Sequence, residues 1–282
     1  MAEYAAGNEQ KGSGEGENGG NSSSWTREGV SDDAISQQQA EIRAEVNEQQ
    51  KQVGDLESLT VLLEEYRDNA AFHPKISSII EKYSGIRRSR GDGSCFYRSF
   101  IFRYLNIMKN SKERMDKMVQ HADGVKAQLL ELNYPEFTVS DFHENYVDVL
   151  KDVSGEDGKG VSTEELVSML RDQGVDQYTV YFTRLIASAY MQKNPDNFFT
   201  FCMAMGHNDI KSFCASQVEA SYVDADQLQI VALTESFKVG TRIVYLDGST
   251  GELNHHDFPE GLEPEIHLLY RPGHYDILYP KE

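Results

Sequence analysis

The chain has 282 residues, 26% charged and 39% hydrophobic, with a formal net charge of −19. That length suits one sizeable core with a polar extension rather than several independent domains, and the charge excludes nucleic acid and anionic membrane surfaces as partners while favouring a partner with a basic face. No stretch approaches the roughly 20 apolar residues of a membrane span and no basic-then-apolar leader opens the chain, so a cytoplasmic protein with access to the nucleus is expected; three cysteines, odd in number and far apart, do not read as a disulfide framework.

Residues 1–45 read as an arm. From Gly7 to Ser24 the text is Gly, Ser, Asn and Glu with little to bury, so it cannot fold alone. After Asp32-Asp33, the residues Ile35, Ile42 and Val46 on a Gln/Glu/Ala background make a weak amphipathic helix with its acids at the favourable end. A single domain is expected over 46–282. Within it, Asp92-Gly93-Ser94 reads as a tight turn feeding a helix that starts at Cys95, and Phe96, Tyr97, Phe100, Ile101, Tyr104 and Leu105 recur at three-to-four spacing, which predicts one buried face.

The middle of the chain is predicted helical. Met115, Met118, Ala122, Val125 and Leu129 form one stripe, while Ser140 and Ser162 are the expected N-caps, with Glu165 completing a capping box at the second. Strand signals gather late, over 241–246 before the Asp247-Gly248 turn, then over 266–271 and 274–279 joined through Pro272-Gly273 as a hairpin. Helices first and strands last indicate an α+β domain, a helical part packed on a small sheet. The chain contains no internal repeat.

Two of these elements carry chemistry. A thiol at a helix start is favoured as thiolate by the exposed backbone N–H groups and the helix dipole, and glycines at 91 and 93 let a substrate backbone approach while the amides around Cys95 face a developing oxyanion. Residues two apart on a strand share a face, roughly 7 Å apart along it, so Asp276 is placed to orient His274 while the other ring nitrogen faces Cys95. An unperturbed thiol is only a few per cent thiolate near neutral pH, and an imidazolium partner removes that deficit. A nucleophile, a base and an orienting acid suit acyl transfer.

Taken singly, each residue has a plainer reading: a cysteine is usually a small buried apolar residue, and a histidine beside an aspartate is usually a hydrogen-bonded pair. The coincidence of a Gly-flanked Cys at a helix start with His-x-Asp on a strand favours catalysis. Cys202, His207 and Cys214 have irregular spacing and no fourth partner, so no metal is expected, nor any cofactor. His255-His256-Asp257 is an alternative base and acid, but lies in a predicted Gly/Asn/Pro-flanked loop without same-face geometry.

Asp92-Gly93-Ser94-Cys95-Phe96 resembles the D-G-x-C-F nucleophile motif of the ovarian-tumour (OTU) cysteine proteases, and the run from Tyr270 to Tyr279 resembles the C-terminal signature of the otubains. The likeness extends through Tyr83-Ser84-Gly85-Ile86-Arg87, the run from Phe137 to His143, and Phe258-Pro259-Glu260-Gly261, covering about residues 46–282. It is strongest to the otubain-1 type, which carries a long N-terminal arm. The resemblance implies a papain-like OTU fold and a monomeric deubiquitinase that cleaves isopeptide bonds in polyubiquitin, preferring the linkage that signals proteasomal degradation. Motif position makes Cys95 the nucleophile, His274 the base then acid, and Asp276 the orienting carboxylate. Asp92 matches the aspartate that shapes the oxyanion loop; as an ionised carboxylate it cannot donate, so its task is to fix the turn and its amides. The resemblance also implies binding to charged ubiquitin-conjugating enzymes and a block on chain synthesis that needs no catalytic cysteine. A non-catalytic binding protein is therefore the alternative reading, with residues 1–45 either a lead-in helix on the core or an arm that orders on ubiquitin.

Overall fold

A computed structural model describes residues 50–155 and 158–281. The predicted arm and the helix through Ile35, Ile42 and Val46 lie outside the described residues.

A six-stranded sheet runs in the order β1-β2-β6-β5-β3-β4. The strands are β1 (Val53–Glu57), β2 (Tyr83–Ser89), β3 (Gly240–Tyr245), β4 (Asn254–Phe258), β5 (Pro264–Arg271) and β6 (His274–Pro280). β3 and β5 pair in parallel and the other neighbours antiparallel. The closing hairpin is as the sequence predicts, with Arg271 opposite His274 and Leu269 opposite Asp276.

Both faces of the sheet are covered, and strand alternation decides which residue meets which layer. Ile277, Leu268 and Ile243 enter the large helical core, whereas Leu278, Leu269, Val244 and Ile86 enter a smaller cluster with Leu62, Ile76 and Ile79. That smaller cluster is capped by α1 (Thr60–Glu65) and α2 (His73–Lys82). By the same parity Arg88, Arg271, His274 and Asp276 belong on the face of α1, beyond the apolar residues two positions along each strand.

The larger layer contains α3 (Cys95–Met108), α4 (Lys112–Glu131), α5 (Glu136–Ser154), α6 (Thr163–Met169), α7 (Gln173–Lys193), α8 (Pro195–Ala204), the short α9 (Ile210–Phe213) and α10 (Gln227–Phe237). The α4 stripe is buried as expected, and Ser162 with Glu165 makes the expected capping box on α6. Three expectations need correction. Ser140 lies inside α5, whose N-cap is Pro135; proline's fixed φ and missing N–H suit a helix start, and this outweighs the serine signal. α3 is buried on almost every side, Arg98, Ser99 and Phe102 included, because the sheet and α7 enclose it. Strands also come early: β1 and β2 precede the nucleophile, and the segment His255-His256-Asp257 is strand β4 rather than loop, its polar side chains matching a strand at the sheet edge.

Candidate active site

Cys95 occupies the first turn of α3, buried at 2% exposure. Its own strand neighbours hold it there: the Ser89 hydroxyl donates to the Cys95 carbonyl at 3.3 Å and Ser99 Oγ to the Tyr275 carbonyl at 3.4 Å, while the Phe96 and Tyr275 rings meet edge-on at 5.3 Å. The helix start is thereby pinned to β2 and β6, the strands that carry the other site residues.

The turn before Cys95 is a network of charges. Asp92 accepts from the Ser94 amide at 3.0 Å, from Arg90 Nε at 2.8 Å, and from Arg98 Nη1 and Nη2 at 2.9 and 2.8 Å. Burial raises its carboxyl, but Arg98 and Arg90 more than offset this and hold it below the usual range. Arg98 is bound in turn by Asp176 of α7 at 2.6 and 2.9 Å. Asp92 thus spans the turn and takes up the Ser94 amide.

Gly93 is needed for a different reason from the one the sequence suggests. Its φ is +78°, and a Cβ there would lie 2.4 Å from the Tyr222 carbonyl carbon, so the close approach is made by the protein's own backbone rather than a substrate's. Arg184, 1% exposed, ties the same two segments together: its Nη2 donates to the Gly93 carbonyl, Ser94 Oγ and the Val223 carbonyl at 2.8–3.0 Å, its Nη1 donates to the Val218 carbonyl, and its guanidinium lies 4.2 Å over the Tyr97 ring. At Gly91 a Cβ would make only ordinary contact, 3.6 Å from His274 Nδ1, so the turn brings the chain directly against the histidine.

His274 Nε2 donates to Asp276 Oδ1 at 2.9 Å. Cys95 is the imidazole's second electrostatic partner, and Nδ1 is the ring nitrogen left to it because Nε2 is taken. Burial pulls the imidazole pKa down, but the carboxylate of Asp276 and the neighbouring Cys95 prevail and raise it to about 9. Asp276 is wholly buried; burial raises its carboxyl, and His274, Arg271 and Arg88 overcome this to hold it at about 2. It also accepts from the Ser89 amide at 3.0 Å, from Arg88 Nη1 at 3.2 Å and from Arg271 Nη2. Cys95, His274, Asp276 and Asp92 therefore converge on one site.

The other candidates lie elsewhere. Asp257 is bound by Arg242 through two bonds of 2.7 Å on β4, and β5 and β3 lie between that strand and β6. Cys202 is buried on α8, His207 lies in the loop after it, and Cys214 begins a π-turn. Burial raises both thiols, Cys214 to about 12, so they stay protonated and unreactive. Among the described residues no group of three or more His, Cys, Asp or Glu is arranged to hold a metal ion.

Sequence reasoning missed Arg88, Arg271 and Glu65 behind Asp276, Arg98 and Asp176 behind Asp92, and Arg184. The available signal was an arginine two positions from an apolar residue on a strand, as in Ile86-x-Arg88 and Leu269-x-Arg271, which puts a charge on a buried face where it needs a partner.

Relatives fit this geometry. The family model described as Peptidase C65 Otubain matches residues 45–280. The ubiquitin thioesterase OTUB1 of Homo sapiens is 36% identical over 250 residues, 88% of this chain and 90% of that one, and the ovarian tumor domain-containing deubiquitinating enzyme 1 of Arabidopsis thaliana is 38% identical over 247 residues, 81% of each. Among solved structures, a complex of h/ceOTUB1 with ubiquitin aldehyde and UBCH5B~Ub superposes with a TM-score of 0.82 at 32% identity, covering 89% of this chain and 98% of that one. With a thiol, imidazole and carboxylate brought together on the motif positions and the match running nearly the length of the described domain, the chain belongs to the otubain family of C65 peptidases.

Proposed function

We propose that the chain is a ubiquitin-directed cysteine isopeptidase, with Cys95 as nucleophile, His274 as base and acid, and Asp276 as the carboxylate that orients and charges the imidazole. The observation that carries this is His274 Nε2 bonded to Asp276 Oδ1 while Cys95 at the start of α3 acts on the same imidazole, the arrangement a nucleophile, base and orienting carboxylate require. The relatives' names, ubiquitin thioesterase and deubiquitinating enzyme, and solved complexes of OTUB1 with ubiquitin aldehyde supply the substrate.

The Cys95 thiolate attacks the carbonyl carbon at the ubiquitin C-terminus, forming a C–S bond as the carbonyl becomes an oxyanion. The Cys95 amide, at the open end of α3, is placed to donate to that oxygen. Collapse expels the lysine amine, which takes the proton from His274 and leaves a thioester on Cys95. Water then attacks the thioester, His274 accepts its proton, and the thiol is released with the ubiquitin carboxylate. Asp92 acts through Ser94 and Arg98 by holding the turn.

Chain-cleavage assays with wild type and Cys95→Ala test the reading. Cleavage by wild type alone is expected, with ubiquitin binding retained in the variant; equal cleavage by both would sink it. We assign the preferred chain to the degradation-signalling linkage, and the free thiols suit a reducing compartment, cytoplasm or nucleus.

A second reading is that the chain also restrains ubiquitin-conjugating enzymes, supported by the solved OTUB1 complexes with UBCH5B~Ub and UBC13~Ub. Deleting residues 1–45 is expected to weaken that inhibition and chain affinity more than thiol reactivity. Undiminished inhibition by the truncated chain would remove the arm from this role.

A further inference from the structure

We propose that Glu65 is a positioning residue for the catalytic histidine, acting through Arg88 and Arg271 on Asp276; the inference rests on the Cys95–His274–Asp276 reading. Two guanidinium groups converge on one fully buried carboxylate: Arg88 Nη1 donates to Asp276 Oδ2 at 3.2 Å, and Arg271 Nη2 donates to the same oxygen. With His274 protonated, three cations would share a single anion, an arrangement in which the arginines repel one another and compete with the imidazole for the carboxylate.

Glu65, the last residue of α1, supplies the missing charge. Its Oε1 accepts from Arg88 Nη2 and its Oε2 from Arg271 Nη1 at 3.1 Å. Two carboxylates and two guanidiniums thus alternate around a ring that is neutral by itself, leaving Asp276 Oδ1 to His274 and the Ser89 amide. The buried Nε of Arg271 has no hydrogen-bond partner among the described residues, so the placement of that guanidinium depends on its Nη contacts with Asp276 and Glu65. Strand parity explains how the ring assembles: Arg88 on β2, Arg271 on β5 and Asp276 on β6 all face α1.

Glu65 stands apart from the apolar packing. Its side chain is 41% exposed on the wall of a cavity of about 710 Å³ that Arg88, Arg271 and His274 also line, so its charge rather than its bulk is what the site uses. The other titratable groups bearing on His274 are Asp276 on its own strand, Cys95 from α3 and Asp224 from the loop before α10. Among the described residues Glu57 of β1 reaches Arg88 alone, at 4.0 Å. Removing the Glu65 charge leaves the two arginines and the imidazolium sharing the one Asp276 carboxylate, so the imidazolium must then lose its proton at lower pH.

The test is a titration of His274 by NMR in the full chain labelled with carbon-13 in histidine, the resonance being assigned by its loss in His274→Ala. Glu65→Gln is expected to lower the His274 midpoint, and the basic limb of chain cleavage with it, by about half a pH unit, the scale of one partly solvated charge lost nearby. Glu65→Asp, which keeps the charge, is expected to stay near the wild-type midpoint. Asp55→Asn removes another acid of the same cavity, one engaged with Lys51 and Arg171 instead, and is expected to leave His274 unmoved. A folded Glu65→Gln protein with an unshifted midpoint, a Glu65→Asp shift as large as that of Glu65→Gln, or an equal shift in Asp55→Asn would each overturn the role. Because the titration needs no substrate, such a result leaves the cleavage reading standing, whereas cleavage by Cys95→Ala would remove that reading and this one together.

Discussion

Replacing Asp276 with asparagine keeps the size of the side chain and removes its charge. Four donors point at the carboxylate: His274 Nε2, the Ser89 amide, Arg88 and Arg271. An asparagine has one oxygen to offer them, and its NH₂ must face a group that can only donate. The imidazole stands at about 9 against an ordinary 6.5, a preference for the charged form worth about 3 kcal/mol at roughly 1.4 kcal/mol per pH unit, shared between Asp276 and Cys95. Losing about half of that lowers the His274 midpoint by roughly one pH unit, which still leaves the ring protonated near neutral pH, so the fall in turnover comes from the ring losing its orientation. Arg88 and Arg271 are left with a neutral group in a buried site, at a stability cost of about 2–4 kcal/mol. Chain cleavage near neutral pH by Asp276→Asn is therefore expected to fall tenfold to hundredfold, with a His274 midpoint lowered by about one pH unit and a lower melting temperature. Turnover and melting both at the wild-type level would refute the reasoning, since no rearrangement of one amide satisfies four donors.

The sign of the pH dependence follows from the same two groups. His274, raised to about 9, keeps its proton below that value, so cleavage is expected to decline as pH rises through about 9, and the stability contributed by the ion pair, fully present below about 6.5, is lost over the same rise; a cleavage rate still climbing above that range would contradict the assignment. Asp276, held at about 2, contributes stability that is complete above about pH 4 and lost as pH falls through its folded value, which acid unfolding of wild type against Asp276→Asn would read. Gly93→Ala combines a positive φ with a 2.4 Å approach to the Tyr222 backbone and is expected to cost about 2–4 kcal/mol in denaturant unfolding; a loss below about 0.5 kcal/mol would mean that the loop yields freely.

What could be read from the chain depended on how local the signal was. The Cys95 helix start, the hairpin through Pro272-Gly273 and the shared face of His274 and Asp276 rest on spacings within a few residues, and each is found in the fold. β1 was invisible because Gly54 and Asp55 are poor strand formers in a five-residue strand, and β4 because an edge strand can be as polar as a loop. The Ser140 cap was displaced by a proline five positions earlier. The ring of Glu65, Arg88, Arg271 and Asp276 joins three strands and a helix through contacts of up to 206 positions' separation, and no local pattern encodes that. Yet a charged residue at the parity of a buried strand face carries a usable warning that a partner must exist.

The central claim is a ubiquitin-directed nucleophile at Cys95, and the most direct measurement is intact mass after incubation with ubiquitin carrying a thiol-reactive electrophile at its C-terminus. One adduct on wild type, mapped to the Cys95 peptide and missing from Cys95→Ala, is the predicted result. A folded wild-type protein that forms no adduct, or a Cys95→Ala protein that forms one through Cys202 or Cys214, would contradict it.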